Sequence, residues 1–167
     1  GKSFYLIGDD LKTFGQFAMS TAYDLTTAAL VVRGANPFTI PDVSGLRGHA
    51  VSSDGKTIIF TARDFLYRYN LTTAFDPSTV TGNSNSGIIM RDIVPDRGFN
   101  EEERNPRALD FSSDGRKLYV VGLSNDYIYE FPLSTPYDIT TRGTVVRFDV
   151  RPQESSPDGL ALSPNGT

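Results

Sequence analysis

The chain repeats itself at long range. Gly1-Lys-Ser-Phe-Tyr-Leu-Ile-Gly8 returns as Gly115-Arg-Lys-Leu-Tyr-Val-Val-Gly122, and Phe17-Ala-Met-Ser-Thr-Ala-Tyr-Asp-Leu-Thr-Thr27 returns as Phe131-Pro-Leu-Ser-Thr-Pro-Tyr-Asp-Ile-Thr-Thr141, both at a shift of 114 positions. A middle copy, Gly55-Lys-Thr-Ile-Ile-Phe60 with Tyr69-Asn-Leu-Thr-Thr-Ala-Phe-Asp76, aligns after a deletion of two residues. A fourth begins and stops: Gly159-Leu-Ala-Leu-Ser-Pro-Asn-Gly166 echoes Ala108-Leu-Asp-Phe-Ser-Ser-Asp-Gly115 and Gly48-His-Ala-Val-Ser-Ser-Asp-Gly55. Units of roughly 50–60 residues are the period of solenoids, arrays and propeller blades, so the repeat restricts the architecture before any local structure is assigned.

Within the third unit the pattern is all strand. Ala108–Phe111 is a short alternating segment ended by Ser112-Ser-Asp114-Gly115, whose Asp-Gly provides the positive backbone angle of a tight turn. Lys117–Val121 is rich in β-branched and aromatic residues, and Tyr127–Leu133 alternates with period two, setting Ile128, Glu130 and Pro132 opposite Tyr127, Tyr129, Phe131 and Leu133. Thr144–Val150 makes a fourth strand. The second unit predicts strands over His49–Val51, Thr57–Thr61, Phe65–Tyr69 and Ile88–Ile93, with a polar Gly82–Gly87 loop before the last. The first holds only three, over Ser3–Ile7, Phe14–Met19 and Ala29–Arg33; its missing first strand is the one left over at Gly159–Ser163.

Repeated four-stranded antiparallel meanders with the first strand innermost read as an all-β β-propeller. The expected boundaries are blade 1 at about 1–46 plus an innermost strand from 158–167, blade 2 at about 47–98 and blade 3 at about 105–152. Three blades fall short of the 4 to 8 that propellers carry. The displaced first strand therefore predicts a homodimer in which each chain lends its last strand to the other's first blade, closing six blades and removing exposed sheet edges.

At Asp114-Gly-Arg-Lys-Leu-Tyr-Val-Val-Gly122 and Tyr129-Glu-Phe-Pro-Leu-Ser-Thr-Pro-Tyr-Asp-Ile-Thr-Thr141 the chain resembles β-propeller repeats of bacterial and phage proteins, within the lactonase-like and surface-repeat propellers. The resemblance covers all three units and implies the fold far more than a function, because propellers host many activities.

Composition narrows the partners. A net charge of −4 and a pI near 4.9 oppose nucleic-acid binding, which needs a concentrated positive field. With no cysteine there is no disulfide, zinc-thiolate site or thiol nucleophile. No apolar run approaches the roughly 20 residues of a membrane-spanning helix. The expected setting is extracellular, on a cell surface or in a virion, rather than cytoplasmic.

Candidate site residues follow from the propeller topology, in which the loops entering the innermost strands open on one face. Arg47, Arg107 and Asp158 immediately precede the small first residue of each innermost strand. There they either pair with one another across blades or hold an anion or acidic glycan through charge-assisted hydrogen bonds. His49, the only histidine, is a candidate base at the same mouth, but Leu109 and Leu160 hold its position in the other copies, which argues for packing. The oxygen-rich Glu101, Glu102, Glu103 and Asn105 suit a hard cation such as Ca²⁺ without forming a recognised calcium loop. The recurring Ser-Thr-x-aromatic-Asp-x-Thr-Thr loops carry Tyr23, Phe75 and Tyr137. They read as structural, with Asp24, Asp76 and Asp138 capping the turn and the aromatic covering the outer edge. Asp54-Gly55, Asp114-Gly115 and Asn165-Gly166 are turn chemistry.

Two functions fit. The first, favoured because no phosphate loop, nucleophile elbow or metal motif occurs, is a non-enzymatic binding or structural module presenting a loop face to a glycan or protein partner, with no cofactor. The second is a lactonase-like or metal-dependent hydrolase with its site in the central channel.

Overall fold

A computed structural model of the chain describes residues 2–8, 13–35, 46–81, 88–89 and 105–163. Three antiparallel sheets follow the three repeat units. Sheet 1 holds β1 (Ser3–Gly8), β2 (Thr13–Met19) and β3 (Ala28–Ala35), in that order. Sheet 2 runs β4 (Leu46–Val51), β5 (Thr57–Ala62), β6 (Phe65–Leu71) and β7 (Val80–Thr81), with β8 (Ile88–Ile89) also on β6. Sheet 3 orders β9 (Pro106–Phe111), β10 (Lys117–Gly122), β11 (Tyr127–Pro132) and β12 (Val146–Asp149) from one edge to the other. Among the described residues no helix is long and apolar enough to cross a membrane.

Two devices recur, the first in the second and third units and the second in all three. In the first hairpin Gly55 and Gly115 adopt φ of 70° and 69°. The preceding carboxylate ties the turn: Asp54 Oδ1 accepts from Ser52 Oγ at 2.6 Å and Lys56 N at 2.9 Å, and Asp114 Oδ1 accepts from Ser112 Oγ at 2.7 Å and Arg116 N at 2.9 Å. In the later loop Asp24, Asp76 and Asp138 each cap a short 3-10 turn, accepting from the backbone N–H two residues on at 3.0 Å and from that residue's hydroxyl at 2.6 Å.

The aromatics of these loops do not cover the outer edge, as the sequence suggests. Phe75 and Tyr137 fold back over the hairpin glycines, their backbone N–H donating to the carbonyls of Gly55 and Gly115 at 2.8 and 2.9 Å. A Cβ on Gly55 or Gly115 would lie 2.5 or 2.4 Å from the ring above it. The loop needs left-handed backbone at the aromatic to make this reversal, and Tyr23, Phe75 and Tyr137 have φ of 63°, 60° and 61°.

Alternation along the strands sorts core from surface. Leu118, Val120, Tyr129 and Phe131 of sheet 3, with Ile139 of the 3-10 turn that follows β11, close on Ala50, Ile59 and Leu66 of sheet 2. Ile58, Phe60, Tyr67, Tyr69 and Leu71 on the other face of sheet 2 meet Tyr5 and Ile7 of sheet 1. Each wholly buried side chain of this size contributes about 1.5–3 kcal/mol of apolar burial. Sheets 2 and 3 also meet backbone to backbone, because Gly48 lies under Arg107: Thr61 Oγ1 accepts from Gly48 N at 2.7 Å and donates to the Arg107 carbonyl at 2.9 Å.

Three expected elements differ. The last strand of the second unit is split into β7 and β8, both on β6, on either side of the polar insertion; residues 90–93 lie outside the described residues. The last strand of the third unit starts at Val146 rather than Thr144, because Gly143 turns back to donate to the Pro132 carbonyl at 2.8 Å. The strand expected at 159–163 belongs to none of the three sheets, because the backbone of Leu162 donates to the Asp110 side chain of β9 at 2.9 Å rather than to a strand backbone. Asn165 and Gly166 are outside the described residues.

Candidate functional site

The registers gather several loops at one end of the sheets. Leu46 pairs with Ala62 and Pro106 with Gly122, so the starts of β4 and β9 lie beside the turns that join β5 to β6 and β10 to β11. Because Gly48 touches the Arg107 backbone, Arg47 and Arg107 begin adjacent strands at this end. Arg47 is exposed and Arg107 half-buried.

Arg107 carries the most informative geometry. Its Nε is buried and makes no hydrogen bond among the described residues, while Asp158 Oδ1, on a largely exposed side chain, stands 3.5 Å away. The ion pair is therefore long and one-sided: a buried donor faces a carboxylate that water or another anion can replace. Nearby, the backbone of Leu162 donates to Asp110 Oδ2 at 2.9 Å, laying the C-terminal segment along β9.

Two further contributors are not marked as functional by residue type. Arg63 and Asp126 take φ of 51° and 55° in the turns after β5 and β10, placing Arg63-Asp64 and Ser124-Asn125-Asp126 at the same end. Buried Asn125 Nδ2 and Asp126 Oδ1 have no hydrogen-bond partner among the described residues. The polar Ser124-Asn125-Asp126 run next to a strand end was the available clue, but nothing in the residue types marks these atoms as left over.

His49 sits elsewhere. Its ring is 6.5 Å from Tyr5, edge-on, and 6.3 Å from Phe60, in the seam between sheets 1 and 2, and burial holds its pKa below the ordinary value. Asn105 stands at the entry to β9, where its carbonyl accepts from Leu123 N at 3.1 Å. Glu101, Glu102 and Glu103 lie outside the described residues, and among those described no three His, Cys, Asp or Glu cluster as metal ligands.

No protein-family model and no curated protein matches the chain. Solved structures do. The fold is similar to that of a "putative 6-phosphogluconolactonase" from Bacteroides uniformis, with a TM-score of 0.61 and 16% identity over 99% of this chain and 45% of that one. A second such protein, from Bacteroides fragilis, gives 0.52 and 17% over 99% and 46%. The seed albumin LS24 of Lathyrus sativus gives 0.55 and 11% over 93% of this chain and 66% of the albumin. At these identities the likeness defines the fold: an all-β, propeller-like arrangement of antiparallel sheets. The chain spans less than half the length of the two Bacteroides proteins.

Proposed function

We propose that this chain is a lactonase-like propeller segment whose mouth, at the starts of β4 and β9, takes an anionic, sugar-derived ligand on Arg107 and Arg47 in place of Asp158. The observation that carries the reading is the buried, under-satisfied Nε of Arg107 opposite an exposed carboxylate at 3.5 Å. A phosphate or carboxylate there would give the guanidinium the charge-assisted hydrogen bonds it lacks.

Hydrolysis of a sugar lactone at the same mouth is supported, over a purely structural role, by the names of the two Bacteroides proteins. Glu101, Glu102, Glu103 and Asn105 enter that reading as the loop that would hold a cation such as Ca²⁺, which supplies an activated water when bound. Non-catalytic binding of a glycan or protein partner is supported by the seed albumin that shares the fold. The mouth belongs to a six-bladed ring closed by a second copy of the chain, in a virion or cell-surface setting.

Calorimetric titration with 6-phosphogluconate, with and without Ca²⁺, together with a sugar-lactone hydrolysis assay, tests the reading. We expect saturable 1:1 binding per chain that Arg107→Ala weakens by roughly ten- to a hundredfold, the worth of hydrogen bonds to a charged group. Turnover that a chelator abolishes selects the hydrolase. Binding without turnover selects the module. Absence of both overturns the proposal.

A further inference from the structure

Neighbouring sheets meet through a recurring contact. Where sheet 1 meets sheet 2, Tyr5 Oη and Gln16 Nε2 both donate to the carbonyl of Phe75, at 3.0 and 2.6 Å. Burial, with the nearby Asp76 charge, pushes the Tyr5 hydroxyl up to about 12, so it stays a donor. Where sheet 2 meets sheet 3, Ser53 Oγ and Tyr137 Oη share a hydrogen bond of 2.6 Å, and Arg68 faces Asp138 at 3.5 Å. In the first junction one sheet presents polar groups from its face, in the second from its face and first hairpin, and each time the next sheet answers with its Asp-capped loop and left-handed aromatic.

Two halves of this contact remain over. The loop half belongs to sheet 1: Leu6 is 55% and Leu25 70% exposed, whereas their counterparts Val120 and Ile139 are both 0% exposed. Tyr23 holds the left-handed conformation of Phe75 and Tyr137 yet is 85% exposed. The edge of β1 also carries no strand among the described residues, whereas β5 and β10 are covered there by β4 and β9. The presenting half belongs to sheet 3. Tyr119 stands at the repeat position of Tyr5, Val121 at that of Ile7, and Ser113 at that of Ser53. Residues 159–163, which repeat the innermost strand, run along β9 on the same side.

We infer that these two halves meet between two copies of this chain. This rests on the two-chain ring proposed above and adds the chemistry of its joint. Tyr119 Oη donates to the backbone carbonyl of the partner's Tyr23, and Ser113 Oγ shares a hydrogen bond with the hydroxyl of the partner's Tyr23. Residues 159–163 pair antiparallel with the partner's β1. Shifting the observed pairs Leu109–Val120, Asp110–Tyr119 and Phe111–Leu118 along the repeat sets Leu160 opposite the partner's Leu6, Ala161 opposite the partner's Tyr5 and Leu162 opposite the partner's Phe4. Glu130 stands where Gln16 and Arg68 act in the other two junctions, and Lys117, 3.0 Å from it, supplies the cation that meets the partner's Asp24. The occupant is a second copy because the exposed loop of sheet 1 has the Asp-capped turn and left-handed aromatic with which sheets 2 and 3 already meet their neighbours. Sheet 2 lies between sheets 1 and 3, so the two unused halves do not meet among the described residues.

Light scattering of the 18.3 kDa chain over a concentration series gives the first readout, with twice that mass expected. The chain has no cysteine, so a Leu6→Cys, Leu160→Cys variant reports the register directly: oxidation gives a covalently linked dimer, since directly opposed residues lie within disulfide reach. Leu25→Glu and Tyr119→Ala disable opposite halves of the joint. Each variant alone is expected to be monomeric, and the mixture to form a one-to-one pair through its single intact joint. A chain that stays monomeric up to 100 µM overturns the inference. So does a dimer that neither cross-links at 6 and 160 nor shows this complementation. A monomer that still binds 6-phosphogluconate leaves the mouth standing and removes the joint; a cross-linked dimer that binds nothing does the reverse.

Discussion

Gly48 holds the inner strands of the second and third blades at backbone contact, and Gly48→Ala is the sharpest test of that seam. A Cβ at this position would lie 2.2 Å from the Arg107 carbonyl oxygen and 2.9 Å from Ala108 Cα. Both atoms are backbone, so no rotamer change relieves the clash. The seam must open by about 1 Å to reach an ordinary contact distance. Opening also stretches the Thr61 bonds that bridge the seam at 2.7 and 2.9 Å. Overpacking costs about 1–3 kcal/mol and a weakened buried hydrogen bond about 1 kcal/mol, while the stiffer unfolded chain returns about 0.5 kcal/mol. The net loss of about 2–3 kcal/mol corresponds to a Tm lower by about 5–10 °C for a chain of this size. Gly143→Ala is the matched control, because its added Cβ meets Pro132 alone, at ordinary contact distances of 3.4 Å to Cγ and 3.9 Å to the carbonyl oxygen. Scanning calorimetry, with near-ultraviolet dichroism of the tyrosines, reads both variants. If Gly48→Ala melts within 2 °C of the parent, the backbone seam is not what joins the blades.

Gly115→Ala faces both a φ of 69° and the Tyr137 ring at 2.4 Å. We expect about 3 kcal/mol lost in urea unfolding, falling to about 1 kcal/mol in a Tyr137→Ala background where only the backbone cost remains; equal losses would refute the ring-on-glycine packing. Asp138→Ala removes a cap and the Arg68 ion pair, for about 1–2 kcal/mol, and Asp138→Asn recovers part of it; an unchanged urea midpoint for Asp138→Ala would count against the cap. Stability depends on pH in two stages. Burial depresses the His49 pKa, so the unfolded chain binds the extra proton first and stability declines as pH falls below about 6.5. The Asp54 carboxyl is held low by Ser52 and Lys56, so its contribution is present above 3.8 and lost as pH falls through its lower folded value. His49→Leu should flatten the upper stage alone; identical curves for the two proteins between pH 7 and 5 would contradict this.

What could be read before the structure was whatever rests on local backbone chemistry. Asp54-Gly55 and Asp114-Gly115 turn where their residue types require it, and Asp24, Asp76 and Asp138 cap because a short carboxylate reaches the N–H two residues on. The left-handed Tyr23, Phe75 and Tyr137 were hidden, because bulky residues rarely take positive φ. Their recurrence immediately before the capping Asp of each loop was the only trace. The Gly48 seam was illegible for a different reason: it depends on which carbonyl passes overhead from another unit. Of the site, Arg47, Arg107 and Asp158 followed from topology, whereas Arg63 and Asp126 owe their place to turn conformations that residue type does not encode.

Residue 107 serves two masters with separate parts of itself. Its carbonyl fastens two sheets, and its guanidinium faces Asp158 at the mouth where we propose a ligand. Every amino acid brings the same carbonyl, so selection can rewrite the side chain at this position while the joint between blades stays as it is. Descendants of such a repeat can therefore trade ligands, or lose them, without first having to repair their scaffold.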